Sequence, residues 1–295
     1  MKKHIIITLC IISTLNGMEQ QPLITQKPKR EPREWDAQAY DKGNKSQTTV
    51  FLNFLEQYKI KTDKRTILDV GCGTGTIDAQ LAEKATHIHG FDASKNMIDL
   101  AQNKYGHIKN LTFEHCFAED FTSNKYYNLA LASFCIHWFE DQKQALQNIN
   151  KNLKAGGEFF ATVSTSNNPK PFNLIAAEKI IEKFFFFLSY LGINLTGSSF
   201  SSHQELKTML NEAGFDIITI EEQSFGDTIS DNELRESLWP LVSSRPIMKY
   251  IPESLVQKFF DYYIDECISQ LSKTDDNKFS YTIFTTIIHA RKVKK

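Results

Sequence analysis

The sequence predicts an α/β chain built on a doubly wound, mostly parallel seven-stranded sheet with helical lid insertions. Three observations carry this. Short β-branched or aromatic runs alternate with helical patterns from residue 66 onward. A glycine-rich turn, VGCGTGT, follows the first of those runs. Two stretches of helical period interrupt the alternation in the C-terminal half and supply the insertions.

The elements follow in order. From Trp35 the chain is amphipathic, with Val50, Phe51, Phe54, Leu55 and Tyr58 at helical spacing. TILDV is the first strand, 77–84 a helix, HIHGF the second strand, 95–105 a helix and LTFEH the third strand. YNLALAS is the fourth strand, 142–153 a helix, and GEFFATV the fifth strand after a turn at 155–157. Strands separated by helices of this length form parallel sheets covered on both faces. Beyond Val163 the order changes. Residues 173–191 read as a helix containing the run Phe184 to Phe187, and 202–213 as a helix capped by Gly214. Two last strands, 216–225 and 279–291, flank a helical stretch at 232–272. One domain therefore spans 35–295, with insertions at about 166–200 and 227–275 that could cover the sheet as a lid.

Composition excludes several function classes. A 295-residue chain that is 41% apolar can bury a sizeable core. Its net charge of −1 argues against a nucleic-acid partner, which normally requires a basic surface. Five cysteines show neither CxxC pairs nor histidine spacing, so no metal site and no disulfide framework is expected. At the N-terminus, Lys2, Lys3 and His4 precede about ten apolar residues, the anatomy of a secretory signal over 1–17 that is too short to insert stably across a membrane. Export is one expectation. A start at Met18 and a cytoplasmic protein is the other, with 18–34, rich in proline and polar residues, as a flexible linker.

The glycine turn is the chemically informative motif. Glycines after a strand let a backbone approach a ligand and aim N–H groups at it. Gly71, Gly73 and Gly75 are spaced G-x-G-x-G, with Thr76 where a dinucleotide fingerprint needs its third glycine. Asp69, two places before the first glycine, would repel a pyrophosphate and attract an ammonium or a sulfonium. Asp92, ending the second strand, is placed to accept ribose hydroxyls. A nicotinamide-dependent dehydrogenase is therefore disfavoured.

An acidic residue, GxGxG and a second acidic residue at these offsets resemble the class I S-adenosylmethionine (SAM) dependent methyltransferases, which have a Rossmann-like sheet. The likeness runs over nearly the whole chain after Trp35, through LKAGGEFF and LASFCIHWFEDQKQAL. Within that class the chain resembles the juvenile hormone acid and, more distantly, the trans-aconitate carboxyl O-methyltransferases, on YDKGNKSQ, SFCIHW, IPESLVQKFFDYYID and FSYTIFTTIIHARK. The resemblance implies SAM as methyl donor with no metal. It also implies a small carboxylic acid as acceptor, with Gln47, His137 and Trp138 facing it. Tyr40, Asp69, Gly71, Gly73, Gly75, Asp92, Ala93, Ala118, Glu119 and Ser133 would form the cofactor set. Two departures stand out: Phe117 precedes Ala118 where the adenine motif usually has an aspartate, leaving Glu119 or Asp120 as substitutes, and Asn128 stands where an aspartate often opens the fourth strand.

A carboxylate is ionised at neutral pH and needs no general base to attack a sulfonium methyl. The bland alternatives stay open: His137 as a structural donor, Trp138 as core, Gln47 as a helix-surface residue. Two other functions also stay open. One is SAM-dependent methylation of a hydroxyl, an amine or a carrier-bound acid with His137 as base; the other is a SAM-binding interaction protein without turnover.

Overall fold

The computed structural model describes residues 33–185 and 197–294. The signal-like segment, nearly all of the 18–34 linker, and Phe186 and Phe187 of the phenylalanine run lie outside the described residues.

Two N-terminal helices, α1 (Ala37–Gly43) and α2 (Lys45–Gln57), lead into the sheet. The Asp36 side chain accepts from the Ala39 N–H and starts α1. The alternating part then runs β1 (Thr66–Val70), α3 (Thr76–Leu81), β2 (His87–Asp92), α4 (Lys95–Tyr105), β3 (Leu111–His115), β4 (Tyr127–Ser133), α5 (Gln142–Asn152) and β5 (Leu153–Val163). Ser94 caps α4 and Asp141 caps α5, each by accepting a backbone N–H with its side chain. After β5 come α6 (Phe172–Phe184), α7 (His203–Ala213), β6 (Phe215–Ile229), α8 (Asp231–Ser243), α9 (Val256–Ile268), β7 (Ser272–Lys273) and β8 (Phe279–Lys292). Gly214 ends α7 at φ +92°, as its position predicts.

The strand order is β3-β2-β1-β4-β5-β8-β6. The first five strands are parallel, and β8 lies antiparallel between β5 and β6. Order reverses between β1 and β4, paired through Ile67↔Leu129, so the crevice beyond their C-terminal ends is the ligand position of an open α/β sheet. Ile67, Leu68, Leu129, Ala130, Phe159 and Phe160 are fully buried, because a parallel strand is covered on both faces. Asn128, one of the two departures, serves the sheet. Its Oδ1 accepts the Thr66 N–H at 3.0 Å and the Thr66 hydroxyl at 2.8 Å, tying β4 to β1.

The structure departs from the sequence expectation at element ends. The seven long strands are joined by a two-residue β7 paired to β8, too short to leave a periodic signal. The expected turn at 155–157 is absorbed into β5 as a bulge, with Leu153 opposite Tyr127 and Glu158 opposite Leu129. The helix expected at 232–272 is two helices, separated by 3₁₀ turns at Pro246–Tyr250 and Glu253–Leu255, since prolines at 246 and 252 lack the N–H a continuous helix needs.

Helices α6, α8 and α9 pack on one another in a hydrophobic cluster of their own, around Ala176, Ile180, Leu234, Leu238, Phe260 and Ile264. Helix α8 is seated on α1. A methyl group on Gly43 would meet the Ser237 Cα at 2.8 Å, so only glycine permits the approach. The Trp239 indole donates to Asp36 Oδ2 at 3.2 Å across the same contact. Among the described residues, no helix is long and apolar enough to cross a membrane.

Candidate functional site

Beyond the ends of β1 and β4 lies a cleft open to solvent at its mouth. Its walls include Tyr40, Asn44 and Gln47 from the N-terminal helices, Asp69, Gly71 and Gly73 from β1 and its turn, and Ser133 from β4.

The glycine turn is built by three left-handed residues, Gly71, Gly73 and Gly75, at φ +68°, +57° and +74°. Space adds to that requirement. A Cβ on Gly71 would strike the Cys135 Cβ at 2.7 Å, and one on Gly75 would strike the Phe113 ring at 2.7 Å. Gly71 and Gly73 line the cleft, whereas Gly75 faces the core and shapes the turn from behind.

Asp92 sits against this turn. Its Oδ2 accepts the Gly73 N–H at 3.0 Å and its Oδ1 the Ser94 N–H at 2.8 Å. Each oxygen retains a lone pair. Burial pushes its pKa up, against the pull of those two N–H groups. Asp69 is 1% exposed and neither of its oxygens finds a hydrogen-bond donor. Burial, then Asp78, raises its pKa well above the carboxylate range. Asp78, in the first turn of α3, is likewise buried, and burial pushes it up to about 7 against the pull of its contact with Asp69 and of its own backbone N–H. Asp69 lines the cleft with Asp78 and Asp92 buried close behind it, a cluster of desolvated carboxyls that a cationic ligand would compensate.

Tyr40 is held beside Gly73, and burial pushes its phenol up to about 12. Asp41 ties α1 down: its Oδ1 accepts Thr74 Oγ1 at 2.8 Å and Lys104 Nζ at 2.6 Å. Burial raises Asp41, but the Lys104 and Thr74 hydrogen bonds outweigh it and lower its pKa.

The structure brings Tyr40, Gln47, Asp69, Gly71, Gly73 and Ser133 together around the cleft, with Asp92 hydrogen-bonded to its turn. It turns other expected residues elsewhere. Ala93 offers its carbonyl to His115 Nε2 at 3.0 Å. Ala118 is core, and its carbonyl accepts from Asn148 at 3.2 Å. Glu119, offered by the sequence as an adenine ligand, points inward and accepts the Glu140 and Asp141 N–H groups at 2.9 and 3.2 Å. Its oxygen is occupied in ordering the turn before α5.

His137 and Trp138 form a 3₁₀ turn after β4, outside the lining of that cleft. The His137 ring stacks on Phe200 at 5.7 Å, and its Nδ1 is buried without a partner. Burial, then the Arg33 charge, drives its pKa down to about 3, so the imidazole is neutral. Trp138 meets Trp35 edge-on at 5.5 Å, and Trp35 meets Tyr40 at 5.6 Å, so an aromatic chain joins this turn to the cleft. The Arg33 guanidinium lies 4.6 Å over the Trp138 ring. Sequence reasoning missed Asp41, Asp78, Arg33 and Arg245, each a lone charge in its segment. An aspartate where an apolar helix face meets the sheet was the one legible clue, at Asp78.

A family model for the methyltransferase domain matches residues 41–220. The chain belongs to that family. Its sheet is the class I SAM-dependent methyltransferase fold. A solved structure, the Haemonchus contortus phosphoethanolamine N-methyltransferase 2 with SAM, superposes with a TM-score of 0.54 at 17% identity, over 87% of this chain and 56% of that one. Malonyl-[acyl-carrier protein] O-methyltransferase of Bacillus cereus is 29% identical over 40% of this chain and 44% of the relative. The ubiquinone biosynthesis O-methyltransferase of Rickettsia typhi is 32% identical over 40% and 49%. The chain spans about half the length of these curated relatives. SAM, a cation at both its ammonium and its sulfonium, matches the orphaned Asp69 oxygens in this family's cleft. Among the described residues, no group of three or more metal-ligating side chains occurs.

Proposed function

We propose that the protein transfers the methyl group of SAM to the carboxylate of a small organic, fatty or terpenoid acid. The observation that carries this reading is the placement of His137, buried against Phe200 and outside the lining of the cleft, where burial also keeps its imidazole neutral, so it is not set to act as a base on a phenol or an alkylammonium in the cleft. A carboxylate needs no such help, being ionised at neutral pH. The likeness to juvenile hormone acid and trans-aconitate methyltransferases supports the same acceptor, whereas the name of the malonyl-[acyl-carrier protein] relative points to the carrier-bound alternative.

When bound, SAM supplies an electrophilic methyl on a sulfonium centre. In this reading Asp69 offsets the ammonium, and the free lone pairs of Asp92 accept ribose hydroxyls. Tyr40 closes the cleft from α1, Gln47 faces the acceptor, and the Trp138 indole forms an acceptor wall. The apolar cluster of α6, α8 and α9 acts as the lid that excludes water, which favours a reaction in which opposite charges disappear. Positioning then supplies most of the acceleration.

Incubation with methyl-labelled SAM and a panel of fatty, terpenoid and dicarboxylic acids tests the proposal. Base-labile methyl esters are expected. Label appearing only on hydroxyls, amines or carrier-bound acids would replace the acceptor assignment, and binding without turnover on any acceptor would favour an interaction protein.

A further inference from the structure

We propose that Arg33 and Arg245 form an oxyanion-binding subsite beside the Trp138 turn, which receives a carboxylate or phosphate carried by the methyl acceptor. The subsite rests on the methyl-transfer reading above only for what it would serve.

Among the described residues, two cations are brought together here with no carboxylate hydrogen-bonded to either guanidinium, and Glu140 acts on Arg33 only through its charge. Arg245, which opens the 3₁₀ turn between α8 and α9, is 6% exposed, and its Nε and Nη1 have no hydrogen-bond partner. Arg33, reaching in from the N-terminal arm, has a buried Nη1 equally without a partner. Its Nη2 donates to the Gly197 carbonyl at 2.9 Å. A methyl on Gly197 would meet Arg33 Nη2 at 2.0 Å and Pro246 Cδ at 2.9 Å, so the guanidinium lies against the residue that follows Arg245. Burial first, then the Arg245 charge, lowers the Arg33 pKa, and Glu140 pulls the other way with less effect. Among the described residues, neither arginine has a carboxylate within 4.0 Å. Tyr263 and Cys267, which also face Arg245, are buried, uncharged groups.

A buried guanidinium without a counter-ion is costly, and a second one near enough for its charge to act on the first adds to that cost. An oxyanion resolves both. Its oxygens take the three orphaned N–H positions in charge-assisted hydrogen bonds, which guanidinium forks match in shape. The Trp138 ring under Arg33 fixes one wall, with the His137 ring packed beside it. The two arginines are far apart in the chain, so the subsite exists only when Arg33 and the α8–α9 segment are brought together.

The test is calorimetric titration of the full chain at constant ionic strength with octanoate, succinate and inorganic phosphate, with chloride as control. Saturable binding of at least one oxyanion is expected, weakened about tenfold or more in both Arg33→Gln and Arg245→Gln. Arg245→Lys should recover part of the loss, because a point charge replaces a fork. Octanoate or succinate binding without phosphate binding assigns a carboxylate, and the reverse assigns a phosphorylated acceptor. Equal binding in wild type and Arg33→Gln overturns the proposal, as does no binding beyond that of chloride. Arg33 is part-exposed and its variant should fold even if Arg245→Gln does not, so a melting curve beside the titration keeps the answer decisive. The two readings separate cleanly: acids methylated at the same KM in Arg33→Gln remove the subsite alone, whereas an anion bound but never methylated removes carboxyl transfer alone.

Discussion

The carboxyls of Asp69 and Asp78 meet behind the wall of the cleft that Asp69 lines, each 1% exposed, and among the described residues no other side chain donates a hydrogen bond to either. Such a pair is satisfied only by sharing a proton or by a cation from outside. Burial pushes both pKa values up, Asp78 to about 7. The folded state thus holds a proton that the unfolded chain has released by about pH 4. The linkage has one sign: stability is fully present below about pH 4 and is lost as pH rises through about 7. The protein without ligand should melt lower at about pH 8 than at about pH 5.5. Asp78→Asn should raise the melting temperature at the higher pH by several degrees, on the order of 1–2 kcal/mol, and change it little at the lower. An equal shift at both values would rule out the shared proton.

SAM should reverse this dependence, because its ammonium satisfies the carboxylate form of Asp69. Thermal stabilisation by saturating SAM should be larger at about pH 8 than at about pH 5.5, read as the difference between paired melting curves. Uptake or release of protons on binding, measured by calorimetry in two buffers, should be altered in Asp78→Asn and abolished in Asp69→Asn.

Asp92 accepts two backbone N–H groups and has lone pairs to spare. Asp92→Ala should weaken SAM binding by about 10- to 100-fold, the range for losing charge-assisted hydrogen bonds. Titration with SAM, with its demethylated product and with NADH checks this. Unchanged affinity would remove Asp92 from the cofactor set.

With a neutral His137 the rate should be flat from about pH 6 to 9. His137→Gln should cost less than about tenfold, well below the ~10²–10⁴-fold loss of a general base. A rising limb centred near about pH 6.5 that vanishes in the variant would instead make His137 the base for a hydroxyl or amine.

Gly43 lets α8 lie on α1, which carries Tyr40 and Asp41. Gly43→Val should destabilise the fold by about 1–3 kcal/mol through overpacking. It should also weaken SAM binding more than the surface change Lys45→Ala. A loss of stability with SAM affinity intact would show that α1 does not position the cleft.

The sequence by itself determined the sheet, its strand order class and the glycine turn, because these rest on local rules. Periods of about two and 3.6 residues, left-handed positions that only glycine tolerates, and acids at set offsets from a strand end are all written within a few residues of one another. Tyr40, Gln47, Asp69 and Ser133 therefore came out around one cleft as expected. Only the tertiary structure decided what an isolated charge does. Glu119 reads as a ligand in FAEDF, yet it is spent on the N–H groups at 140 and 141. Arg33 and Arg245 are more than 200 residues apart and neither sits in a motif. Their partnership, like that of Asp69 with Asp78, is made by which surfaces the fold presses together and by the water it removes from between them. No periodicity reports that, because desolvation belongs to the packed chain and has no counterpart in the extended one.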